Sequence, residues 1–120
     1  MERAQPIVLI VEDEPIVRFY ASELAEGAGF HTLSVANADE ALRELEGMAG
    51  VEILLTDVSM PGSMDGIELV NTVRERWPGI RIVIVSSYVD SQQGDGRGEI
   101  VYVRKPFTPH ELIQALQSAV

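Results

Sequence analysis

Five short segments of the chain are rich in β-branched and other apolar residues, which is the pattern of β-strands. Three of them are apolar almost throughout, as in parallel strands that are covered on both faces of a sheet. Another, residues 31–35, alternates apolar and polar positions and predicts a more exposed strand. The predicted strands are 7–11, 31–35, 52–56, 80–85 and 100–103.

Between these segments, apolar residues recur every three or four positions, which predicts amphipathic helices. Pro15 favours the start of the first helix, and three later starts have the form of a capping box. Strands that alternate with helices predict an α/β protein with a doubly wound parallel sheet and helices on both faces. The positions that define the four helical patterns are Ile16, Tyr20 and Leu24; Ala38, Leu42 and Leu45; Ile67, Val70 and Trp77; and Leu112, Leu116 and Ala119. The capping boxes begin at Asn37, Asp65 and Thr108.

Residues 91–99 interrupt the alternation at the place where a further helix is expected between two strands. Gly94, Gly96 and Gly98 lie in this segment, and each would cost a helix about 1 kcal/mol relative to alanine. We therefore expect that this fourth helix is short or disordered.

The size and composition of the chain predict one domain over residues 1–120. Of the 120 residues, 46% are hydrophobic, yet no apolar run is long enough to cross a membrane. The first residues lack the pattern of a signal peptide, so we expect a cytoplasmic protein without a membrane partner. A net charge of −10 argues against nucleic-acid binding, which needs clusters of Lys and Arg. The absence of cysteine excludes disulfides and thiolate metal sites.

Polar side chains follow four of the predicted strands, at the end where open α/β sheets bind their ligands. Each of these side chains, taken alone, has an ordinary interpretation. An Asp at a strand end is more often a helix cap, a single Lys is usually a solvated surface residue, and a Ser can be an ordinary turn hydroxyl. Because parallel strands end at the same edge of a sheet, however, the fold would bring these residues together. They are Glu12, Asp13, Asp57, Ser86, Ser87, Arg104, Lys105 and Pro106.

Glu12, Asp13 and Asp57 would repel one another by about 4 kcal/mol per close pair at an effective dielectric constant of about 20. Lys105 can offset one of these charges. Mg²⁺, which binds carboxylate, water and phosphate oxygens, can offset the rest. A carboxylate beside Mg²⁺, a lysine and a serine hydroxyl is equipped to attack phosphorus.

Four segments of the chain resemble, in order, the motifs of the receiver domain of two-component response regulators. They are VLIVEDEP, LLTDVSMPGSMDGIEL, IVIVSSY and YVRKPF. The resemblance covers nearly the whole chain and implies a flavodoxin-like strand order of 2-1-3-4-5. It also implies a bacterial phosphorelay protein that takes a phosphoryl group from a sensor histidine kinase or a phosphotransfer protein. Such a domain switches a protein-interaction surface and catalyses only its own phosphorylation and dephosphorylation.

The resemblance implies that Asp57 is the phosphoacceptor and that Mg²⁺ is the cofactor. Glu12 and Asp13 would be the acidic metal-binding pair, together with Asp57 itself. Ser59 would lend its backbone carbonyl to the metal.

Further residues have switch or structural roles by the same resemblance. Ser86 would be the switch hydroxyl, Lys105 the phosphate partner and Tyr102 the aromatic side chain that changes rotamer. The bond between Lys105 and Pro106 is cis in most of the family. Tyr88 either covers the phosphoryl group and hinders attack by water, or points into solvent as a partner contact.

The loop MPGSMDG is one residue longer than the usual motif, a variant found in receivers that are attached to sensor kinases. The sequence is therefore compatible with a stand-alone regulator, with a receiver from a hybrid kinase and with a fragment of a larger regulator. An aspartyl-phosphate phosphohydrolase is an alternative, but it needs a second Asp at position 59, which is Ser. A flavodoxin-type nucleotide module needs a phosphate-binding loop where Glu12 and Asp13 would repel phosphate. An inactive pseudo-receiver is the last alternative, and the complete acidic set argues against it.

Overall fold

Five parallel strands form one sheet in the order β2-β1-β3-β4-β5. The computed structural model describes residues 5–47, 50–58, 66–87 and 100–120. The predicted strand order is confirmed, and every predicted strand boundary lies within one residue of the observed one. The strands are β1 (Ile7–Val11), β2 (His31–Val35), β3 (Val51–Asp57), β4 (Arg81–Ser86) and β5 (Ile100–Arg104).

Helices cover both faces of this sheet, as predicted. Successive residues of a strand point to opposite faces, so the apolar strands contribute to two separate cores. On one face, strand residues such as Val8 and Ile10 pack with α1 and α4. On the other, Leu9 and Val11 pack with α2 and α3. The helices are α1 (Pro15–Gly27), α2 (Ala38–Gly47), α3 (Gly66–Arg76) and α4 (Pro109–Ala119).

The buried face of α1 differs from the predicted one. Ile16 is 84% exposed and Tyr20 is 41% exposed, whereas Ala21 and Ala25 are buried. The alanines also recur at helical spacing, and their small side chains let the helix lie close to the sheet. Of the three predicted positions, Ile16 and Tyr20 therefore remain outside the core, whereas Leu24 is partly buried and packs against it.

The predicted short fourth helix over residues 91–99 lies outside the described residues, as does the predicted capping box at Asp65. Among the described residues, no helix combines the length and the apolar composition that a membrane span requires.

A complete capping box opens α4, as the sequence predicts. The backbone N–H of Glu111 donates to Thr108 Oγ1 at 3.1 Å, and the backbone N–H of Thr108 donates to Glu111 Oε1 at 2.8 Å. At the start of α2, the N–H of Glu40 donates to Asn37 Oδ1 at 2.9 Å. These bonds satisfy N–H groups that have no partner within their own helix.

We predict that Glu111→Gln lowers the free energy of unfolding at pH 7, and that the difference from wild type vanishes in acid. The backbone hydrogen bond from Thr108 lowers the pKa of Glu111 below its ordinary value of about 4.5. The folded state therefore favours the charged carboxylate, and the stabilisation is present above pH ~4.5 and is lost as the pH falls through the lowered pKa. Urea unfolding of both proteins between pH 3 and 7 measures this, and a difference that does not change with pH would contradict it.

Candidate phosphoacceptor site

The carboxyl ends of four strands place charged and hydroxyl side chains at one edge of the sheet. Glu12 directly follows β1, Asp57 and Ser86 end β3 and β4, and Lys105 directly follows β5. Three of the four are almost fully buried, with 4% of Glu12, 8% of Asp57 and 7% of Ser86 exposed. Buried polar groups at strand ends require partners, and this edge supplies them.

Lys105 bridges two of the carboxylates. Its Nζ donates to Glu12 Oε1 at 2.5 Å and to Asp57 Oδ2 at 2.7 Å. Burial alone would lower the pKa of Lys105, but the hydrogen bonds to Asp57 and then Glu12 outweigh it and raise the pKa above its ordinary value. The lysine is therefore a fixed positive charge at the centre of the site.

Glu12 is held on both its main chain and its side chain. Its N–H donates to the Val35 carbonyl at 3.1 Å, and its Oε2 accepts from the N–H of Glu14 at 3.1 Å. Burial raises the pKa of Glu12, against the opposing effect of its hydrogen bonds with Lys105 and Glu14. The ionised form of Glu12 thus depends on Lys105, the one cation that contacts its carboxylate among the described residues.

Glu12, Asp13 and Asp57 form a cluster that can hold a cation. One carboxylate oxygen from each lies within 4.8 Å of the others. Three ionised carboxylates and one ammonium leave a local charge of −2, and all the candidate ligand atoms are hard oxygens. This donor set fits Mg²⁺. Ser59, whose carbonyl was predicted as a further ligand, lies outside the described residues.

The predicted switch residues lie on the two neighbouring strands β4 and β5. Ile84 pairs with Tyr102 and Ser86 pairs with Arg104 in the parallel register, so Tyr102 and Ser86 are diagonal neighbours on one face of the sheet. The N–H of Lys105 donates to the Ser86 carbonyl at 2.8 Å, which ties the end of β4 to the start of the Lys105 loop. The Lys105–Pro106 peptide bond is cis. Tyr88, the predicted shield, lies outside the described residues.

Gly66 is a positioning residue that the sequence analysis did not single out. A Cβ atom at Gly66 would lie 2.1 Å from the carbonyl oxygen of Asp57 and 2.5 Å from the Cα of Val58. The N–H of Gly66 donates to the Val58 carbonyl at 3.2 Å. The first turn of α3 therefore packs directly on the backbone that carries Asp57, and only glycine permits this approach. A glycine at the predicted start of a helix was the available sign.

We predict that Gly66→Ala destabilises the fold by about 3 kcal/mol and displaces Asp57. The added Cβ overlaps main-chain atoms, which cannot give way as a flexible side chain does. Urea unfolding measures the loss of stability, and backbone amide shifts of residues 57, 58 and 105 report the displacement. Gly79→Ala is the matched control, because a Cβ there meets nothing within 4 Å. Equal effects of the two substitutions would contradict this role of Gly66.

Comparison with known proteins agrees with this geometry. The chain matches the family model of the response regulator receiver domain over residues 8–117. It is 36% identical to the hydrogenase transcriptional regulatory protein HoxA of Cupriavidus necator, over all of this chain and 25% of HoxA. It is 28% identical to the DNA-binding transcriptional regulator NtrC of Salmonella typhimurium, over 95% of this chain and 24% of NtrC. The chain thus spans about a quarter of the length of these two relatives.

Among solved structures, the chemotaxis protein CheY4 of Vibrio cholerae superposes with a TM-score of 0.87 and 28% sequence identity. The match covers 98% of this chain and 100% of CheY4. The present chain has the same fold, carries carboxylates at the edge of its sheet and matches the family model over residues 8–117. It therefore belongs to the response regulator receiver domain family.

Proposed function

We propose that this receiver domain accepts a phosphoryl group on Asp57, with Mg²⁺ held by Asp13 and Asp57 and, partly through water, by Glu12. The observation that carries the proposal is the bridge from Lys105 Nζ to Asp57 Oδ2 and Glu12 Oε1 at a buried sheet edge. Receiver domains take phosphoryl groups from histidine kinases, and the donor proposed here is such a kinase or a phosphotransfer protein. In this proposal, residues 1–120 form one receiver domain, which acts in the cytoplasm.

The transfer exchanges one bond to phosphorus for another. A carboxylate oxygen of Asp57 attacks the phosphorus of the phosphohistidine and forms an acyl-phosphate P–O bond. The P–N bond breaks, and its electron pair returns to the imidazole nitrogen of the donor. Bound Mg²⁺ would neutralise charge on the phosphoryl oxygens.

Lys105 has different partners before and after transfer in this proposal. Before transfer its ammonium neutralises Asp57 and Glu12. Transfer turns one carboxylate oxygen of Asp57 into the bridging oxygen of an acyl phosphate and adds anionic phosphoryl oxygens, which are stronger partners for an ammonium group. Lys105 then pairs with the phosphoryl group, Ser86 donates its hydroxyl to it, and Tyr102 changes rotamer. These movements alter the surface at β4 and β5 that a partner protein contacts.

In this proposal, the chain forms and hydrolyses only its own aspartyl phosphate. The domain acts as a signalling module that catalyses its phosphorylation and dephosphorylation, and its output passes through protein contacts. For Tyr88 both predictions stay open, a shield of the phosphoryl group and a solvent-facing partner contact, and the Ser59 carbonyl stays a predicted metal ligand.

We predict that Asp57→Asn abolishes labelling by acetyl phosphate in the presence of Mg²⁺, because the amide lacks the nucleophilic oxygen. Intact-protein mass spectrometry, which detects the gain of one phosphoryl group, is the measurement. Asp39→Asn, an exposed substitution on α2, is the matched control and should be labelled like wild type. Labelling of Asp57→Asn to the wild-type level would overturn the proposal.

We predict that acetyl phosphate still phosphorylates Lys105→Ala, but about tenfold more slowly than wild type. We also expect that phosphorylation of this variant no longer changes the surface at β4 and β5. One charge-assisted hydrogen bond contributes about 1.5 kcal/mol, which corresponds to about tenfold in rate. Backbone amide shifts of residues 86 and 102–107, compared with and without acetyl phosphate, report the coupling. Arg104→Ala removes the adjacent exposed cation as a control. Shift changes of wild-type size in labelled Lys105→Ala would contradict this role.

A further inference from the structure

Arg18, on the first turns of α1, contacts the loop that carries the two acidic residues. Its Nη1 donates to the backbone carbonyl of Glu12 at 2.9 Å. Its own N–H donates to the Glu14 carbonyl at 2.9 Å. One residue thus holds residues 12–14 through both its side chain and its main chain.

The carbonyl of Glu12 needs such a partner because it lies beyond the paired part of β1. The pairing of β1 with β2 and with β3 ends at Val11. Glu12 itself is only 4% exposed, and a buried carbonyl without a hydrogen bond is unfavourable. Arg18 reaches back from α1 and supplies the donor.

This bond fixes more than Glu12. The carbonyl belongs to the planar peptide that joins Glu12 to Asp13. Its orientation therefore sets the position of the Asp13 backbone, and with it the direction in which the Asp13 carboxylate leaves the chain. Asp13 and Glu12 both belong to the carboxylate cluster with Asp57.

We propose that Arg18 is a positioning residue for the magnesium site, which it serves by holding the Glu12–Asp13 peptide with its guanidinium group. The inference rests on the proposed function, because that assigns Glu12, Asp13 and Asp57 to Mg²⁺. Arg18 acts on the metal site through Glu12 and Asp13 and is not itself a ligand. When a group that orients the ligands of a metal is removed, the affinity of the site for that metal falls strongly.

The sign of the effect separates this role from a simple effect of charge. Removing a cation near three carboxylates makes the site more negative, which by itself strengthens the binding of a divalent cation. Releasing the Glu12–Asp13 peptide weakens the binding of the cation, because the ligands lose their preorganised positions. Arg18→Gln removes the charge and the fork of donors together, so the two effects have opposite signs in one variant.

The test is a Mg²⁺ titration of each protein followed by the backbone amide shifts of residues 12, 13, 57 and 58. We expect the Kd for Mg²⁺ of Arg18→Gln to be about tenfold higher than that of wild type. Arg18→Lys keeps the charge but replaces the fork with a single ammonium, and we expect a loss of about threefold. Arg43→Gln, which removes an exposed cation on α2, should change the Kd by less than about twofold.

Urea unfolding of each variant shows whether it is folded under the titration conditions. If Arg18→Gln does not fold, Arg18→Lys decides, because it retains the charge and a hydrogen-bond donor. Folded Arg18 variants that bind Mg²⁺ as tightly as wild type, or more tightly, overturn the inference, as does a wild type that binds no Mg²⁺ at millimolar concentration. Wild-type labelling by acetyl phosphate is measured alongside. Its absence would refute the proposed function, whereas normal labelling with unchanged Mg²⁺ affinity of the variants would refute only the role of Arg18.

Discussion

The mutual repulsion of three carboxylates at the end of a buried sheet is the constraint on which the site depends. At 4 Å and an effective dielectric constant of about 20, one such pair costs about 4 kcal/mol. Lys105 reduces that cost by contacting Glu12 and Asp57 at once. It leaves an acidic cluster of oxygen ligands whose donor set fits a divalent cation. The carboxylates that repel one another are thus also the oxygen ligands that a divalent cation requires.

The rest of the fold holds this cluster in place. Four strands, β1, β3, β4 and β5, are mostly apolar, because each contributes to a core on both faces of the sheet. The buried carboxylates Glu12 and Asp57 therefore lie where a strand leaves the sheet. Gly66 lets α3 rest on the backbone of Asp57, and Val35 fixes the N–H of Glu12. The carboxylates thus have little freedom to move apart and relieve their repulsion.

The sequence predicted the strands well because three of them are short, nearly continuous apolar runs rich in β-branched residues, which is the pattern of strands covered on both faces. It predicted the face of α1 poorly because Ile16 and Tyr20 are more hydrophobic than the alanines that the helix buries. The convergence of Glu12, Asp57 and Lys105 followed from the parallel strand order alone. That Lys105 bridges two carboxylates, rather than offsetting one, depends on side-chain reach, which spacing along a sequence does not encode.

Gly66 and Arg18 illustrate the same limit from the other side. A glycine at a helix start and an arginine one turn into a helix are ordinary residues in a sequence. Their importance arises from main-chain atoms of other segments, since Gly66 faces the carbonyl of Asp57 and Arg18 faces the carbonyl of Glu12. Backbone atoms are the same in every residue, so no pattern of side chains reveals such contacts.

The link between the site and the surface is short. The main-chain bond from the Lys105 N–H to the Ser86 carbonyl joins the two strand ends that carry the lysine and the hydroxyl. In the proposed mechanism both side chains turn toward the same phosphoryl group, so their backbones move as one unit rather than independently. Tyr102 lies diagonally beside Ser86 on the same face of the sheet, and in the proposed mechanism it changes rotamer when the Ser86 hydroxyl turns. In the proposed mechanism, a change of one charge at Asp57 would thus reach β5, an edge strand of the sheet, through two neighbouring residues.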